Sequence, residues 1–247
     1  MYVEIASCSY CGGREYNEDC VRHMERHDAY AVVVADGLGG HGGGEKASLI
    51  VAEGLTGAFM RDPEFEAGYI RNLFEQAATA VVEAQSSANK MKSTGVGLFL
   101  KDGAAIWAHA GDSRLYYFKD VVLNAQTLDH SVSQMAVFSG EITQEEIRSH
   151  VDRNKVLKAF GGEGFRADIS SVYTFETGFH AFLLCTDGFW EYVWETEMEI
   201  DLAKADAPID WLGAMIGRLA RRVPKDNDNF SAAAVFIDQQ SEIRDSE

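Results

Sequence analysis

Basic residues, proline and cysteine are all scarce in this chain of 247 residues. Its 22 lysines and arginines face 39 aspartates and glutamates, a formal charge of −17, so a nucleic-acid backbone meets general repulsion. No basic stripe offsets it, and no nucleic-acid partner is expected. The 3 prolines, Pro63, Pro208 and Pro224, mark no Ser/Pro/Gly linker. That predicts one compact domain over residues 1–238, followed by a polar, frayed tail over 239–247. Four cysteines, Cys8, Cys11, Cys20 and Cys185, are too few for a disulfide scaffold at this length and fit a reducing compartment. Cys8 and Cys11 have C-x-x-C spacing, but no second pair or nearby His completes a zinc set, so they are read as ordinary thiols. Met1 to Ile5 carry neither the basic nor the apolar region of a signal peptide, and no apolar run approaches a membrane span. A cytoplasmic location with no membrane partner is the expectation.

What is present is enough hydrophobic sequence, 46%, for a sizeable core. Val3–Ser9 and Ala29–Ala35 read as strands, the second apolar throughout and so buried on both faces. Helical spacing follows over Glu45–Met60 and from Glu64 to about Asn89. Thr94–Leu100, a Lys101-Asp102-Gly103 turn, Ala104–Ala110 and Arg114–Phe118 form an antiparallel meander. From Asp129 to about Gly164 the pattern turns polar, with short helical pieces at Val132–Phe138 and Thr143–His150. Strands resume at Ile169–Phe175 and Ala181–Cys185, a helix is expected over Pro208–Arg222, and Ser231–Ile237 is a last strand. Helices in blocks between blocks of strands imply an α+β fold with antiparallel sheets and helices on their outer faces.

Two apolar strands end alike, in Ala35-Asp36-Gly37 and in Thr186-Asp187-Gly188. A carboxylate at the inner end of a buried strand is costly unless it is paired, and like charges ~4 Å apart repel by roughly 4 kcal/mol at an effective dielectric near 20. A divalent cation reverses that sign. Glycine after each Asp allows a tight turn and exposes a carbonyl oxygen suited to a hard metal. Asp112 and Asp228 occur in similar settings, and a donor set without His or Cys favours Mg²⁺ or Mn²⁺ over zinc. A single Asp-Gly is ordinarily a turn; its recurrence after two buried strands carries the metal reading. The Gly-rich segment Gly37–Gly44 suits a nucleotide loop less well, because Glu45 separates Gly44 from Lys46 and Ala47 takes the hydroxyl position of a P-loop.

Six ordered segments then carry a resemblance: Gly12-Gly13-Arg14-Glu15-Tyr16-Asn17-Glu18-Asp19, Val34-Ala35-Asp36-Gly37-Leu38-Gly39-Gly40-His41, Gly111-Asp112-Ser113-Arg114, Asp129-His130-Ser131, Cys185-Thr186-Asp187-Gly188 and Asp228-Asn229-Phe230-Ser231. Together they resemble bacterial metal-dependent Ser/Thr protein phosphatases of the PPM, or type 2C, family. The resemblance implies a four-layer α-β-β-α sandwich and a centre of two Mn²⁺ or Mg²⁺ ions, with a third bound more weakly. By position, Asp36 resembles the carboxylate bridging both ions and Gly37 a carbonyl ligand. Asp187 and Asp228 resemble further ligands of the first ion, Glu18 and Asp19 holders of metal-bound water, and Asp112 a ligand of the third ion. Arg14 takes the place of the arginine that grips the substrate phosphate; the alternative is a surface salt bridge to Glu15 or Glu18.

The reaction implied is in-line attack on phosphorus by a water that two divalent ions have deprotonated, without a phosphoenzyme. Ser113 and Cys185 are accordingly read as packing or hydrogen-bonding residues. Many eukaryotic members have His after the first Asp-Gly, where this chain has Leu38, so His41 is the nearest candidate general acid. Glu191 stands where many relatives have Asp. The Phe189-Trp190-Glu191 ending resembles phosphatases associated with bacterial type VI secretion. The polar excursion, including Ser139–Thr143 and Arg153–Leu157, is similar to the family's flap, and its place beside the metals implies substrate selection. The implied partner is a phosphoprotein made by a Ser/Thr kinase. A phosphoprotein-binding pseudophosphatase or a hydrolase of a small phosphorylated metabolite are the alternatives, and the retained acids disfavour the first.

Overall fold

The blocks of apolar strands and amphipathic helices resolve, in the computed structural model, into two sheets between two helical layers. Residues 1–39, 43–87 and 89–239 are described. The strands are β1 (Tyr2–Tyr10), β2 (Asp19–Arg26), β3 (Ala29–Leu38), β4 (Lys92–Ser93), β5 (Gly95–Lys101), β6 (Ala104–Ala110), β7 (Arg114–Lys119), β8 (Val122–Gln126), β9 (Asp168–Ile169), β10 (Tyr173–Thr174), β11 (Gly178–Cys185) and β12 (Phe230–Gln239). The helices are α1 (Gly43–Arg61), α2 (Ala67–Ala84), α3 (Val132–Phe138), α4 (Asp187–Trp190), α5 (Glu195–Leu202) and α6 (Pro208–Leu219).

Among the described residues one sheet runs β1-β12-β11-β7-β8, and the other runs β10-β6-β5-β3-β2 with β4 on β3 and β9 on β6; all of these pairs are antiparallel. The alternation of side chains along each strand divides the hydrophobic residues between two faces. Inner faces meet through Val32, Val34, Val96 and Leu98 on one side and Tyr117, Phe182, Leu184 and Val235 on the other. Outward, Val33, Phe99 and Ile106 pack under α1 and α2, while Tyr116, Leu183 and Ala234 pack under α5 and α6. This is the α+β sandwich that the order of elements implied, and burial on both faces explains why β3 and β11 are so uniformly apolar.

The β5–β6 turn bears out its sequence signal. Asp102 and Gly103 both have positive φ, as a two-residue hairpin loop between right-twisted strands requires. Several expectations need correction. β2 and β8 were not legible as strands because they lie at sheet edges and expose much of their polar surface, which blurs the period-two pattern. Ile169–Phe175 is not one strand but two short pieces, β9 and β10, both paired to β6. Only Glu145–Ser149 of the expected Thr143–His150 helix is helical, as a 3₁₀ turn. Gln239, assigned to the tail, ends β12 and pairs with Gly178; residues 240–247 lie outside the described residues.

Candidate metal centre

Asp36 sits near the end of β3, clamped through its backbone. Its N–H donates to Thr94 Oγ1 (3.2 Å), while its carbonyl accepts from the Thr94 N–H (2.8 Å) and the Ser93 hydroxyl (2.9 Å). Asp187 follows β11 and opens α4, where its Oδ1 accepts from the Gly188 N–H at 2.6 Å. Because β3 and β11 face each other across the inner core, the two Asp-Gly ends arrive at the same end of the sandwich. They line a cleft of about 920 Å³ with Arg14, Glu18, Gly37, Asp112 and Asp228. Glycine is required where chains approach closely: a Cβ on Gly188 would lie 2.1 Å from the Asn229 carbonyl oxygen, and one on Gly37 would lie 2.2 Å from that of Gly44.

The acids are packed densely enough that the charge of one disfavours that of its neighbours at Asp36 and Asp187. Burial, reinforced by the charges of Asp187, Asp19, Asp112 and Asp228, holds Asp36 well above the usual carboxylate range. Asp187 is raised in the same way, by burial and then by Asp112, Glu191, Asp228 and Asp19. Both keep an opening onto the cleft, so it is the protein mass around them rather than complete enclosure that penalises their charge. Burial pushes Asp112 up to about 7, with Asp129 adding to it. Glu18 is raised too, chiefly by burial. Asp19 reaches about 7, again chiefly through burial, despite hydrogen bonds that favour its charged form. It is not among the described residues lining the cleft; it lies opposite Asp36 in the β2–β3 register and accepts the Thr186 hydroxyl at 3.0 Å.

These residues suit a hard divalent cation. Asp112 Oδ1 is buried without a hydrogen-bond partner, a costly state for a carboxylate oxygen that positive charge would relieve. The lining acids and the Gly37 carbonyl offer oxygen donors, the chemistry of Mg²⁺ or Mn²⁺ sites. Among the described residues no three of these side chains already close on one point, so the fit rests on donor chemistry and charge.

A family model described as protein phosphatase 2C matches residues 13–227. The chain belongs to the protein phosphatase 2C family. It is 34% identical over 196 residues, 75% of this chain and 77% of the relative, to the serine/threonine phosphatase stp of Listeria monocytogenes. The solved serine/threonine phosphatase PstP/Ppp of Mycobacterium tuberculosis superposes with a TM-score of 0.82 at 26% identity, covering 97% of this chain and 99% of that one. PppA of Pseudomonas aeruginosa, described as a key regulatory component of its type VI secretion system, gives a TM-score of 0.73 at 26% identity over 95% of this chain and 97% of its own.

In this phosphatase-family chain Arg14 pairs with neither Glu15 nor Glu18 but donates to Asp228 Oδ2 at 2.9 Å, both side chains being substantially exposed at the cleft. His41 lies outside the described residues. Glu191 accepts from Arg153 Nε at 2.8 Å, which ties the flap to the turn carrying Asp187. Asn154 and Val156 of the flap line the cleft, as its expected position implied. Ser113 and Cys185 behave as packing residues: Ser113 Oγ shares a hydrogen bond of 2.7 Å with Thr94 Oγ1, and Cys185 is buried in the outer core under α5 and α6. Cys8 and Cys11 are free thiols.

Asn229 stands in the Asp228-Asn229-Phe230-Ser231 motif, and nothing in the sequence assigns it a task. Its Nδ2 donates to the Cys11 and Tyr16 carbonyls, both at 2.9 Å, and its Oδ1 accepts the Glu18 N–H at 2.8 Å. Asn229 thus staples the loop of Arg14 and Glu18 to the start of β12, beside Asp228. Only an unusual side chain between Asp228 and an apolar strand hinted at this. Arg114 was likewise given no role. It is buried, forks onto Asp129 at 2.8 and 2.7 Å and stacks 3.5 Å above the Trp190 ring, whose Nε1 donates to the Asp112 carbonyl at 2.9 Å.

Proposed function

We propose that this chain hydrolyses phosphoserine and phosphothreonine esters of proteins, using Mn²⁺ or Mg²⁺. The observation that carries the reading is the convergence of Asp36 and Asp187, from two different sheets, on one cleft in which burial and mutual repulsion call for a cation. Names of relatives along most of the chain support the substrate class.

Asp36, the Gly37 carbonyl, Asp187 and Asp228 would hold two ions, with Glu18 and Asp19 acting through water and Asp112 serving a weaker third. When bound, the cations neutralise this cluster, polarise the phosphoryl oxygens and make a water nucleophilic near neutral pH. Arg14 supplies a fork for two phosphoryl oxygens and is exposed at the cleft, where a phosphorylated side chain can meet it. The Ser93 and Thr94 clamp and the Asn229 staple hold Asp36, Glu18 and Arg14 in register, so that little ordering is left to substrate binding. The partner is a protein phosphorylated on Ser or Thr by a kinase, and the likeness to PppA supports the control of type VI secretion as its setting. No described helix is long and apolar enough to cross a membrane; the cytoplasm is the proposed location.

The test is hydrolysis of a phosphothreonine peptide by EDTA-stripped protein titrated with Mn²⁺ and, separately, Mg²⁺. Saturable activity that is lost in Asp187→Asn is expected. Hydrolysis that persists under chelation or in that variant would overturn the metal mechanism.

A further inference from the structure

A second cavity, of about 830 Å³, adjoins the acidic cleft and shares Leu38, Asn154 and Val156 with it. Its charged lining is opposite in sign. Lys90, Lys92, Lys155 and Lys158 line it against Glu163, whereas Arg14 is the single basic residue among the described lining of the acidic cleft. In a chain with 39 acids and 22 bases, that gathering of lysines is local and runs against the net charge. Lys155 is engaged by Asp152 at 2.8 Å, and Lys158 is 3.5 Å from Asp168. Lys90 and Lys92 are exposed and have no ion-pair partner among the described residues.

The topology sets the distance between the two cavities. Lys92 lies opposite Leu38 in the β3–β4 register, and Leu38 is two residues beyond Asp36. Two residues of strand and one step between strands amount to roughly 10 Å, about the span of three extended residues. A peptide whose phosphorylated residue is held over Asp36 would therefore present a residue two to four positions away to Lys92, beside which Lys90 lines the same groove.

We propose that this lysine groove is a substrate subsite for anionic side chains, either carboxylates or a second phosphate, two to four residues to one side of the phosphoresidue. The inference rests on the phosphatase reading and adds the class of sequence it selects. Charge complementarity favours such a segment: the chain as a whole is acidic, whereas the described lining of this groove beside the cleft carries four lysines against one glutamate.

The experiment compares kcat/KM in Mn²⁺ for four substrates: p-nitrophenyl phosphate, which is too small to reach the groove, and phosphothreonine peptides with neutral flanks, with Glu on the amino-terminal side, or with Glu on the carboxy-terminal side. One of the two acidic peptides should be preferred over the neutral one by about three- to tenfold, the scale of a pair of exposed ionic contacts, with the preference shrinking as salt rises. The double variant Lys90→Gln/Lys92→Gln should lose the preference and keep p-nitrophenyl phosphate turnover, and Lys→Arg at both positions should restore it. A peptide carrying a second phosphate in place of the Glu residues supports the subsite if it too is preferred in a lysine-dependent way, and the better of the two anions names its source.

Equal rates for all flanks, equal gain on both sides, or a preference that survives the double Gln variant would each overturn the subsite, while turnover of the neutral peptide leaves the phosphatase reading intact. Should no peptide be turned over, that reading fails by itself, and fluorescence anisotropy still decides on the groove: the acidic peptide must bind wild type more tightly than the double Gln variant.

Discussion

Replacing Asp112 with Asn should have opposite effects with and without metal. Burial and the neighbouring Asp129 charge raise this carboxyl from an ordinary 3.8 to about 7. The folded chain therefore keeps its proton between those values, where the unfolded chain has released it. Stability from this group is whole below pH 3.8, falls as pH rises through 7, and is gone above. A shift of about three units corresponds to a ceiling of about 4 kcal/mol. Asn removes the charge but leaves a buried amide needing a partner, which returns about 1–3 kcal/mol of cost. In EDTA at pH 8, Asp112→Asn should therefore be more stable than wild type by about 1–3 kcal/mol, with the gain falling through zero as pH drops and becoming a loss of about 1–2 kcal/mol near pH 4, where the folded wild type is protonated and only the cost of the amide remains. Saturating Mn²⁺ should shrink or reverse the order, since a cation stabilises the chain that retains its ligand. Urea unfolding at several pH values, with EDTA and with Mn²⁺, reads all of this. A variant less stable than wild type in EDTA at pH 8, or a difference independent of pH, would refute the reasoning.

Gly188→Ala places a methyl 2.1 Å from the Asn229 carbonyl and should displace Asp187 from Asp228; a loss of about 1–3 kcal/mol in unfolding experiments and a weaker Mn²⁺ affinity by calorimetry are expected. Arg114→Met leaves Asp129 buried without its fork and should cost about 3–5 kcal/mol, read from the urea midpoint, whereas the double change Arg114→Met/Asp129→Leu should recover much of it. His130, stacked on His109 at 4.6 Å, is pushed down to about 4, first by burial and then by its neighbour. Its folded form stays neutral where the unfolded chain takes a proton, so stability is full above about pH 6.5 and falls as pH drops towards 4. The loss is up to about 3 kcal/mol and should disappear from the pH profile of His130→Gln.

Much of the site was legible in the chain because it is written in short contiguous pieces. Asp36 and Asp187 announce themselves by ending apolar strands in Asp-Gly, and the apolarity of those strands already says that the acids start from a buried place. The order of strand and helix blocks fixed the architecture, since each block must bury its apolar face on another layer. Edge strands β2 and β8 escaped because half-solvated backbone tolerates polar residues on both faces. Arg14 shows the same limit at the site: its type suited phosphate, but its partner Asp228 lies 214 positions away and is brought to it by the pairing of β1 with β12 and by the Asn229 staple. The Asn229 staple, the Arg114 fork on Asp129 and the lysine groove beside the acidic cleft are likewise products of tertiary structure. Composition and local pattern determined which residues must be buried and which chemistry they carry; the closing of one sheet on the other decided which charges meet, because electrostatic energy depends on distance through space and not on separation along the chain.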